Sequence, residues 1–229
     1  MADTTVGFLV FPDFTQLDLT GPYEVFSRMP NVRVELVGTE PGPIRSERGL
    51  TFQPRADRAA APRFDVLCIP GGLGVNELLQ DDRVLDWVAD AGGRAELVTS
   101  VCTGALVLGA AGLLRGYRAT THWLSLDLLT ECAAIPVGER VVRDRNRVTG
   151  AGITAGIDFG LAVVAQLHDQ EAAEKIQLMM EYDPAPPFHA GSPRTAPAAL
   201  VERIKKERSP LQDERRRLLV AAVNRRARA

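Results

Sequence analysis

The chain has 229 residues, of which 45% are hydrophobic and 24% are charged, and these values exclude a disordered or fibrous protein. The formal net charge of −2 gives no overall electrostatic basis for binding nucleic acid or a membrane surface. The charge is nevertheless unevenly distributed. From Glu202 onward the chain contains ten Lys and Arg residues but only four Asp and Glu residues. An acidic body therefore precedes a basic tail.

The first residues and the cysteines indicate the compartment. Residues 1–13 lack a basic segment before their apolar run, and no apolar stretch approaches the roughly 18 residues of a membrane span. Cys68, Cys102 and Cys132 are too few and too scattered for a disulfide framework, and none forms a CxxC pair. We expect a cytoplasmic protein with reduced thiols.

Apolar runs alternate with helical patterns from the start of the chain. Residues 6–11 predict a strand buried on both faces, as in a parallel sheet covered by helices. The pattern after it predicts a helix capped by Thr20 or Gly21, with Pro22 in its first turn. Asp18 then lies in the loop after the strand, where it either serves a site at the strand end or only caps the turn.

The rest of the chain continues this alternation. Further strands are predicted at 32–37, 65–69, 97–101 and 117–121, hairpins at 44–52 and 140–149, and helices at 75–79, 84–91, 124–131, 155–167 and 170–182. The pattern predicts a doubly wound, mainly parallel α/β sandwich in one domain, residues 1–196. Residues 197–229 form a helical extension, with Arg-rich segments at 197–207 and 210–223 that predict surface helices or a dimer arm. A contact with nucleic acid is the alternative for these segments.

The strand at 97–101 runs into a helical segment without a loop, and Cys102 stands at the join. Such a join puts the residue in a tight, strained turn, with its side chain raised at the carboxyl end of the sheet. Helix N–H groups and the helix dipole beside the sulfur favour a thiolate. The alternative is that Cys102 is a small buried core residue.

Other residues at strand ends are candidates for the same site. Gly71 and Gly72 follow the strand at 65–69, and paired glycines let backbone amides face a site closely. His122 follows the strand at 117–121 and either lines the site or bonds a nearby backbone group as a structural residue. Ile153 follows a glycine-bounded strand end that we expect beside Cys102. No GxGxxG after the first strand, Walker loop or HExxH occurs, which disfavours nucleotide and zinc chemistry.

Together these residues make the chain resemble the ThiJ/PfpI superfamily, whose members share a flavodoxin-like sandwich and a cysteine nucleophile elbow. The matching segments are LDLTGP at 17–22, IPGG at 69–72, SVCTG at 100–104 and ATTHW at 119–123. They span most of residues 6–167. This spaced set is more specific for the superfamily than for one activity.

Within the superfamily the chain is most similar to the isonitrile hydratase family, through GAGITAGIDF at 150–159 and YDPAPPF at 182–188. That resemblance implies a homodimer that adds water to an isocyanide and releases an N-substituted formamide, with no metal or organic cofactor. It implies no nucleic-acid or membrane partner. Our hypothesis is that Cys102 attacks the isocyanide carbon, Asp18 relays the proton, and a thioimidate forms. Backbone amides of Gly72 and Thr103 are candidates to bind the oxygen that develops after water adds.

Two departures from the superfamily bear on the mechanism. Asp18 is shorter than the Glu found in many members, which leaves the protonation state of Cys102 open. Protease members carry His directly after the cysteine, whereas Thr103 stands here, so a Cys-His proteolytic pair requires His122 to reach the sulfur. A peptidase or glyoxalase-like activity is the alternative enzymatic function.

Two non-catalytic functions are further alternatives. The ligand-sensing half of AraC-type regulators shares several of these segments, but such regulators need a DNA-binding portion of roughly 100 residues. Only about thirty residues follow Pro197 in this chain, without a plausible helix-turn-helix pair. A redox sensor that uses oxidation of Cys102 is the other alternative.

Overall fold

The computed structural model describes residues 4–228. Its strands are β1 Thr4–Val10, β2 Val32–Gly38, β3 Ile44–Arg45, β4 Thr51–Phe52, β5 Ala56–Asp57, β6 Val66–Ile69, β7 Leu97–Val101, β8 Arg118–Ala119, β9 Ile135–Pro136, β10 Val141–Asp144 and β11 Arg147–Gly150. Its helices are α1 Gln16–Phe26, α2 Val75–Leu78, α3 Asp82–Arg94, α4 Gly104–Ala110, α5 Ala155–Leu167, α6 Gln170–Met179 and α7 Ala198–Arg226, with a 3-10 helix at Trp123–Cys132. No helix within residues 4–228 is long and apolar enough to cross a membrane.

Seven strands form the central sheet in the order β10-β11-β7-β6-β1-β2-β5. All neighbours pair in parallel except β10, which pairs antiparallel with β11 at one edge. The inner strands β6 and β7 are fully buried and strongly apolar, because helices flank the sheet. Helix α5 contacts both α1 and α6, and helix α4 contacts α2, α3 and α7. The predicted doubly wound, mainly parallel α/β sandwich is confirmed.

The first helix begins earlier than predicted. It starts at Gln16, so Asp18 lies in its first turn and Pro22 lies inside it, and the predicted cap at Thr20 or Gly21 is wrong. Contacts distant in sequence cause this early start. The Thr15 N–H donates to the carbonyl oxygen of Gly71 at 2.8 Å, which fixes the backbone directly before the helix.

The segment that carries His122 also differs from its prediction. Only Arg118–Ala119 is extended, and it pairs with β9 in a separate two-stranded sheet rather than in the central one. The position beside β11 is already occupied by β10, which makes the hairpin predicted there. His122 therefore follows a short outlying strand, and the next segment is a 3-10 helix rather than an α-helix.

The basic tail is one helix rather than the two predicted. Helix α7 runs through Pro210, and the Ser209 hydroxyl donates at 3.2 Å to the carbonyl oxygen of Lys206, which Pro210 cannot bond because it has no N–H. Leu218 and Leu219 are buried, and α7 packs on α4 and the 3-10 helix. The division into residues 1–196 and 197–229 stays a prediction; residues 1–3 and 229 of these units lie outside the described residues.

Two glycine substitutions test how closely the start of α4 packs against the end of β6. A Cβ on Gly104 would lie 2.0 Å from the carbonyl oxygen of Ile69, so we expect Gly104→Ala to lower the free energy of unfolding by about 2 kcal/mol or more. The matched control is Gly93→Ala in α3, where a Cβ meets no atom within 4 Å. Since alanine restricts the unfolded chain, we expect this control to raise stability by up to about 1 kcal/mol. Urea unfolding measures both, and equal stabilities would contradict this close packing.

Candidate active site

Cys102 occupies the turn between β7 and α4, and its backbone is left-handed. Its φ is +54°, a conformation that costs about 1–2 kcal/mol for a residue other than glycine. Hydrogen bonds hold the turn: the Cys102 N–H donates to the carbonyl oxygens of Gly150 at 3.0 Å and Ala151 at 2.8 Å. The Thr121 hydroxyl donates to the Cys102 carbonyl at 2.8 Å. The strained nucleophile elbow predicted from the sequence is present.

Asp18 lies fully buried beside this turn. Its Oδ2 accepts the Gly71 N–H at 2.9 Å, whereas Oδ1 has no hydrogen-bond partner within residues 4–228. Burial raises the pKa of Asp18 to about 7, and the hydrogen bond from Gly71 offsets only part of that rise. Close to neutral pH, this carboxyl group can therefore either accept or donate a proton.

The environment of Cys102 favours a thiol. Burial and then the charge of Asp18 raise the pKa of Cys102 well above its ordinary value. The Thr103 amide and the Arg215 guanidinium lower the pKa, but their effects are smaller. The helix end alone favours a thiolate, but the buried site as a whole favours a thiol beside a carboxyl group that titrates near neutrality.

Gly72 and Thr103 interact with each other at the edge of the site. The Gly72 N–H donates to the Thr103 Oγ1 at 3.1 Å, so this amide is not free as the oxyanion hypothesis assumed. Gly72 also has a φ of +138°, and a Cβ there would lie 2.5 Å from the Asp13 carbonyl oxygen. The backbone amide of Thr103 instead interacts with the Cys102 sulfur, where it favours the charged form.

A cavity of about 200 Å³ opens beside Cys102. Its lining is contributed by several elements and includes four of the predicted site residues besides the cysteine: Gly72, Thr103, His122 and Ile153. Ile153 is 37% exposed and lies at the cavity wall after β11, as expected for the glycine-bounded strand end. Asp18 lies deeper than this wall, because it is fully buried.

His122 both lines the cavity and bonds the backbone, so its two interpretations are compatible. Its Nδ1 accepts the Leu124 N–H at 3.4 Å. Burial, followed by the charges of Arg215 and Arg208, lowers the pKa of His122 to about 4. The imidazole is therefore neutral near pH 7.

Sequence reasoning missed Arg215, which α7 delivers to the cavity. The residue is 4% exposed, and its Nε donates to Asn76 Oδ1 at 2.9 Å while Nη2 donates to the Gly72 carbonyl at 3.4 Å. One signal was available, because Arg215 precedes Leu218, Leu219 and Ala222 at helical spacing and so shares their buried face. Glu47, which also lines the cavity, had no comparable signal.

No group of three or more His, Cys, Asp or Glu side chains within residues 4–228 is placed to hold a metal ion. The side chains present at this site can act as a nucleophile paired with an acid. A buried thiol and a neutral imidazole line a small cavity, and a carboxyl group of near-neutral pKa lies beneath its wall. Such a set can form a covalent bond to a small electrophile and move a proton to or from it.

Comparison with known proteins agrees with this fold. Residues 4–166 match the DJ-1/PfpI family, and the chain belongs to that family. It is 52% identical over 205 residues, 90% of each chain, to a protein of Pseudomonas putida named isonitrile hydratase. A THiJ/PfpI family protein from Pseudomonas syringae superposes with a TM-score of 0.93 at 45% identity, covering 96% of this chain and 91% of that one. The transcriptional regulator GbdR of Pseudomonas aeruginosa is 29% identical over 78% of this chain, which spans 51% of that protein.

Replacing Asp18 tests the effect of its charge on the thiol. We expect Asp18→Asn to lower the pKa of Cys102, because the second-largest cause of its rise is removed. The rate of alkylation by iodoacetamide against pH measures that pKa. Cys102 lines the cavity, whereas the buried Cys68 and Cys132 do not, so the thiol that the reagent reaches is Cys102.

Glu47→Gln is the matched control for this experiment. It also removes one negative charge from the cavity, but Glu47 does not contribute to the shift of Cys102. We expect the control to leave the pKa of Cys102 near its wild-type value. An unchanged pKa in Asp18→Asn would contradict the coupling between the two side chains.

Proposed function

We propose that this protein is a cysteine-dependent isonitrile hydratase, which adds water to an isocyanide and releases an N-substituted formamide. The observation that carries the proposal is the buried pair of a Cys102 thiol and an Asp18 carboxyl group at the base of a small cavity. The similarity to the Pseudomonas putida isonitrile hydratase over 90% of both chains supports it. An isocyanide carbon needs both a nucleophile and a proton, which this pair provides.

In the first step the Cys102 sulfur attacks the terminal isocyanide carbon. The thiol proton passes to Asp18, whose Oδ1 has no other partner within the described chain. Asp18 then delivers the proton to the same carbon. The S–H bond has broken, a C–S and a C–H bond have formed, and the product is a thioimidate, R–N=CH–S–Cys102. Asp18 returns to its carboxylate form, so the step changes no oxidation state.

In the second step water adds to the thioimidate carbon. Asp18 accepts a proton from the water as the C–O bond forms and then delivers that proton to the imine nitrogen, which gives R–NH–CH(OH)–S–Cys102. The Thr103 amide, which already faces the sulfur, is a donor for the developing oxygen. The C–S bond then breaks, the hydroxyl proton returns to sulfur, and R–NH–CHO leaves. No step requires a metal or an organic cofactor.

The proposal extends to the assembly and the compartment. We propose a homodimer in the cytoplasm, as the resemblance to the isonitrile hydratase family implies. Sedimentation equilibrium of the purified chain tests the assembly. A monomer at micromolar concentration would oppose the dimer and leave the chemistry unaffected, because all the site residues named above belong to one chain.

A ligand-sensing domain is the second candidate, because the chain is similar to the regulator GbdR. A sensor binds a small molecule in the same cavity but does not turn it over. Salt-dependent DNA binding without isocyanide hydration would support this candidate. A redox sensor is disfavoured, since a thiol with a raised pKa and 5% exposure resists oxidation. Casein and methylglyoxal serve as substrates for testing the peptidase and glyoxalase alternatives.

Removing the sulfur tests the nucleophile. We expect Cys102→Ala to reduce hydration of para-nitrophenyl isocyanide by at least about 1000-fold, because no covalent intermediate can form. Absorbance of the formamide product measures the rate. Cys132→Ala is the control, since Cys132 is buried against Gly109 and does not line the cavity. Near-normal turnover by Cys102→Ala would refute the covalent mechanism.

The pH dependence tests the role of Asp18. Attack requires a protonated thiol and an ionised carboxylate, so kcat/KM should rise as the pH increases through about 7, the pKa of Asp18. The rate should stay on a plateau up to at least about pH 9, because the pKa of Cys102 is raised above its usual value. Asp18→Asn should lose the rise near pH 7 together with most of the activity. A wild-type profile that is flat from pH 5 to pH 9 would contradict this role.

A further inference from the structure

The cavity beside Cys102 is rich in positive charge. Three guanidinium groups line it, those of Arg48, Arg208 and Arg215, against one lining carboxylate, that of Glu47. Glu47 lies 4.0 Å from the exposed Arg48, and its charge also acts on Arg215. One lining carboxylate thus faces three guanidinium groups, and the lining keeps an excess of positive charge on the α7 side.

Arg215 differs from its neighbours on α7. Arg216 pairs with Asp127 and Glu131, and Arg217 pairs with Glu214. Arg215 is more deeply buried than either, yet it forms no ion pair with a carboxylate of residues 4–228. Its Nε and Nη2 bond neutral oxygens of Asn76 and Gly72, and Nη1 has no hydrogen-bond partner in that part of the chain. Burying a charged group without a counter-ion is unfavourable, because the group loses its hydration and gains no opposite charge.

Two neutral side chains add donors to the same cavity. His122 accepts the Leu124 N–H at Nδ1, so the proton of its neutral ring is on Nε2. Gln212 accepts the Ser125 hydroxyl at Oε1 at 2.7 Å, which leaves its amide N–H groups as donors. Both side chains line the cavity. In each, the acceptor atom is already used within the protein, and the donor remains for a ligand.

We propose that the isocyanide which this site hydrates carries a carboxylate group, and that Arg215 is its principal counter-ion. The inference rests on the hydratase function proposed above. The planar guanidinium of Arg215 matches the geometry of a carboxylate, and Arg208 and the His122 Nε2–H supply further donors. A carboxylate there compensates the buried charge while the isocyanide carbon lies toward Cys102. The cavity volume of about 200 Å³ suits a short chain between the two groups.

A matched pair of substrates tests this preference. Isocyanoacetate carries the carboxylate, and methyl isocyanoacetate is the neutral ester with the same isocyanide group. We expect wild-type kcat/KM to be at least about 10-fold higher for the acid than for the ester, mainly through KM. Raising the salt concentration should reduce the acid-to-ester ratio, because ions screen the attraction.

Variants then assign the preference to residues. Arg208 is exposed, so Arg208→Gln is expected to fold normally and to reduce the acid-to-ester ratio by about 3-fold. Arg215→Gln should reduce the ratio by about 10-fold, because the lost interaction is buried. Arg203→Gln is the control on the same helix, because Arg203 is exposed and does not line the cavity. The acid-to-ester ratio of this variant should equal the wild-type ratio. Circular dichroism verifies that each variant is folded.

A binding measurement separates this inference from the proposed function. N-formylglycine is the product expected from isocyanoacetate, and its methyl ester is the neutral counterpart. Calorimetry on the Cys102→Ser protein should show tighter binding of the acid, with the difference lost in Arg215→Gln. If neither isocyanide is hydrated but the acid still binds more tightly, the hydratase proposal fails and the carboxylate site stands. If the ester is hydrated and bound as well as the acid, the carboxylate site is refuted and the hydratase proposal stands.

Discussion

The close approach of the end of β6 to the start of α4 is the constraint on which the site depends. A Cβ on Gly104 would lie 2.0 Å from the Ile69 carbonyl oxygen, and one on Gly71 would lie 2.5 Å from the Thr103 nitrogen. Because both positions are glycine, two backbones come together where side chains would keep them apart. The left-handed turn at Cys102 can then direct its sulfur toward the carboxyl end of the sheet.

The same approach determines the electrostatics of the site. Asp18 reaches the Gly71 amide because α1 starts directly after Thr15, which is itself bonded to the Gly71 carbonyl. Burial destabilises the charged carboxylate more than the hydrogen bond from the Gly71 amide stabilises it, so the pKa of Asp18 rises. The raised pKa of Cys102 follows in part from the charge of Asp18. The thiol and the carboxyl group thus form one proton-sharing unit rather than two independent residues.

The sequence is sufficient to predict features that depend on local pattern. The buried strands follow from continuous apolar runs, and the turn at Cys102 follows from a strand that meets a helix without a loop. Features that depend on distant partners were not predictable in this way. The start of α1 at Gln16 depends on Gly71, and the separation of β8 from the central sheet depends on the position that β10 occupies. The protonation state of Cys102 stayed open from the sequence, because the helix end that favours a thiolate is local, whereas the burial and the charge of Asp18 that favour a thiol are tertiary.

Arg215 shows how the basic tail becomes part of the site. Its apolar neighbours Leu218 and Leu219 are buried and pack α7 against the rest of the protein. This packing brings the Arg215 guanidinium to the Gly72 carbonyl, which is 143 residues away in the sequence. Desolvation lowers the pKa of Arg215, although the group stays cationic near neutral pH. Because this buried cation has lost hydration, it stabilises a negative charge placed beside it. That charge is either a ligand carboxylate or the Cys102 thiolate released as the formamide forms. The helix that had the weakest functional prediction is therefore the one that sets the electrostatic character of the cavity.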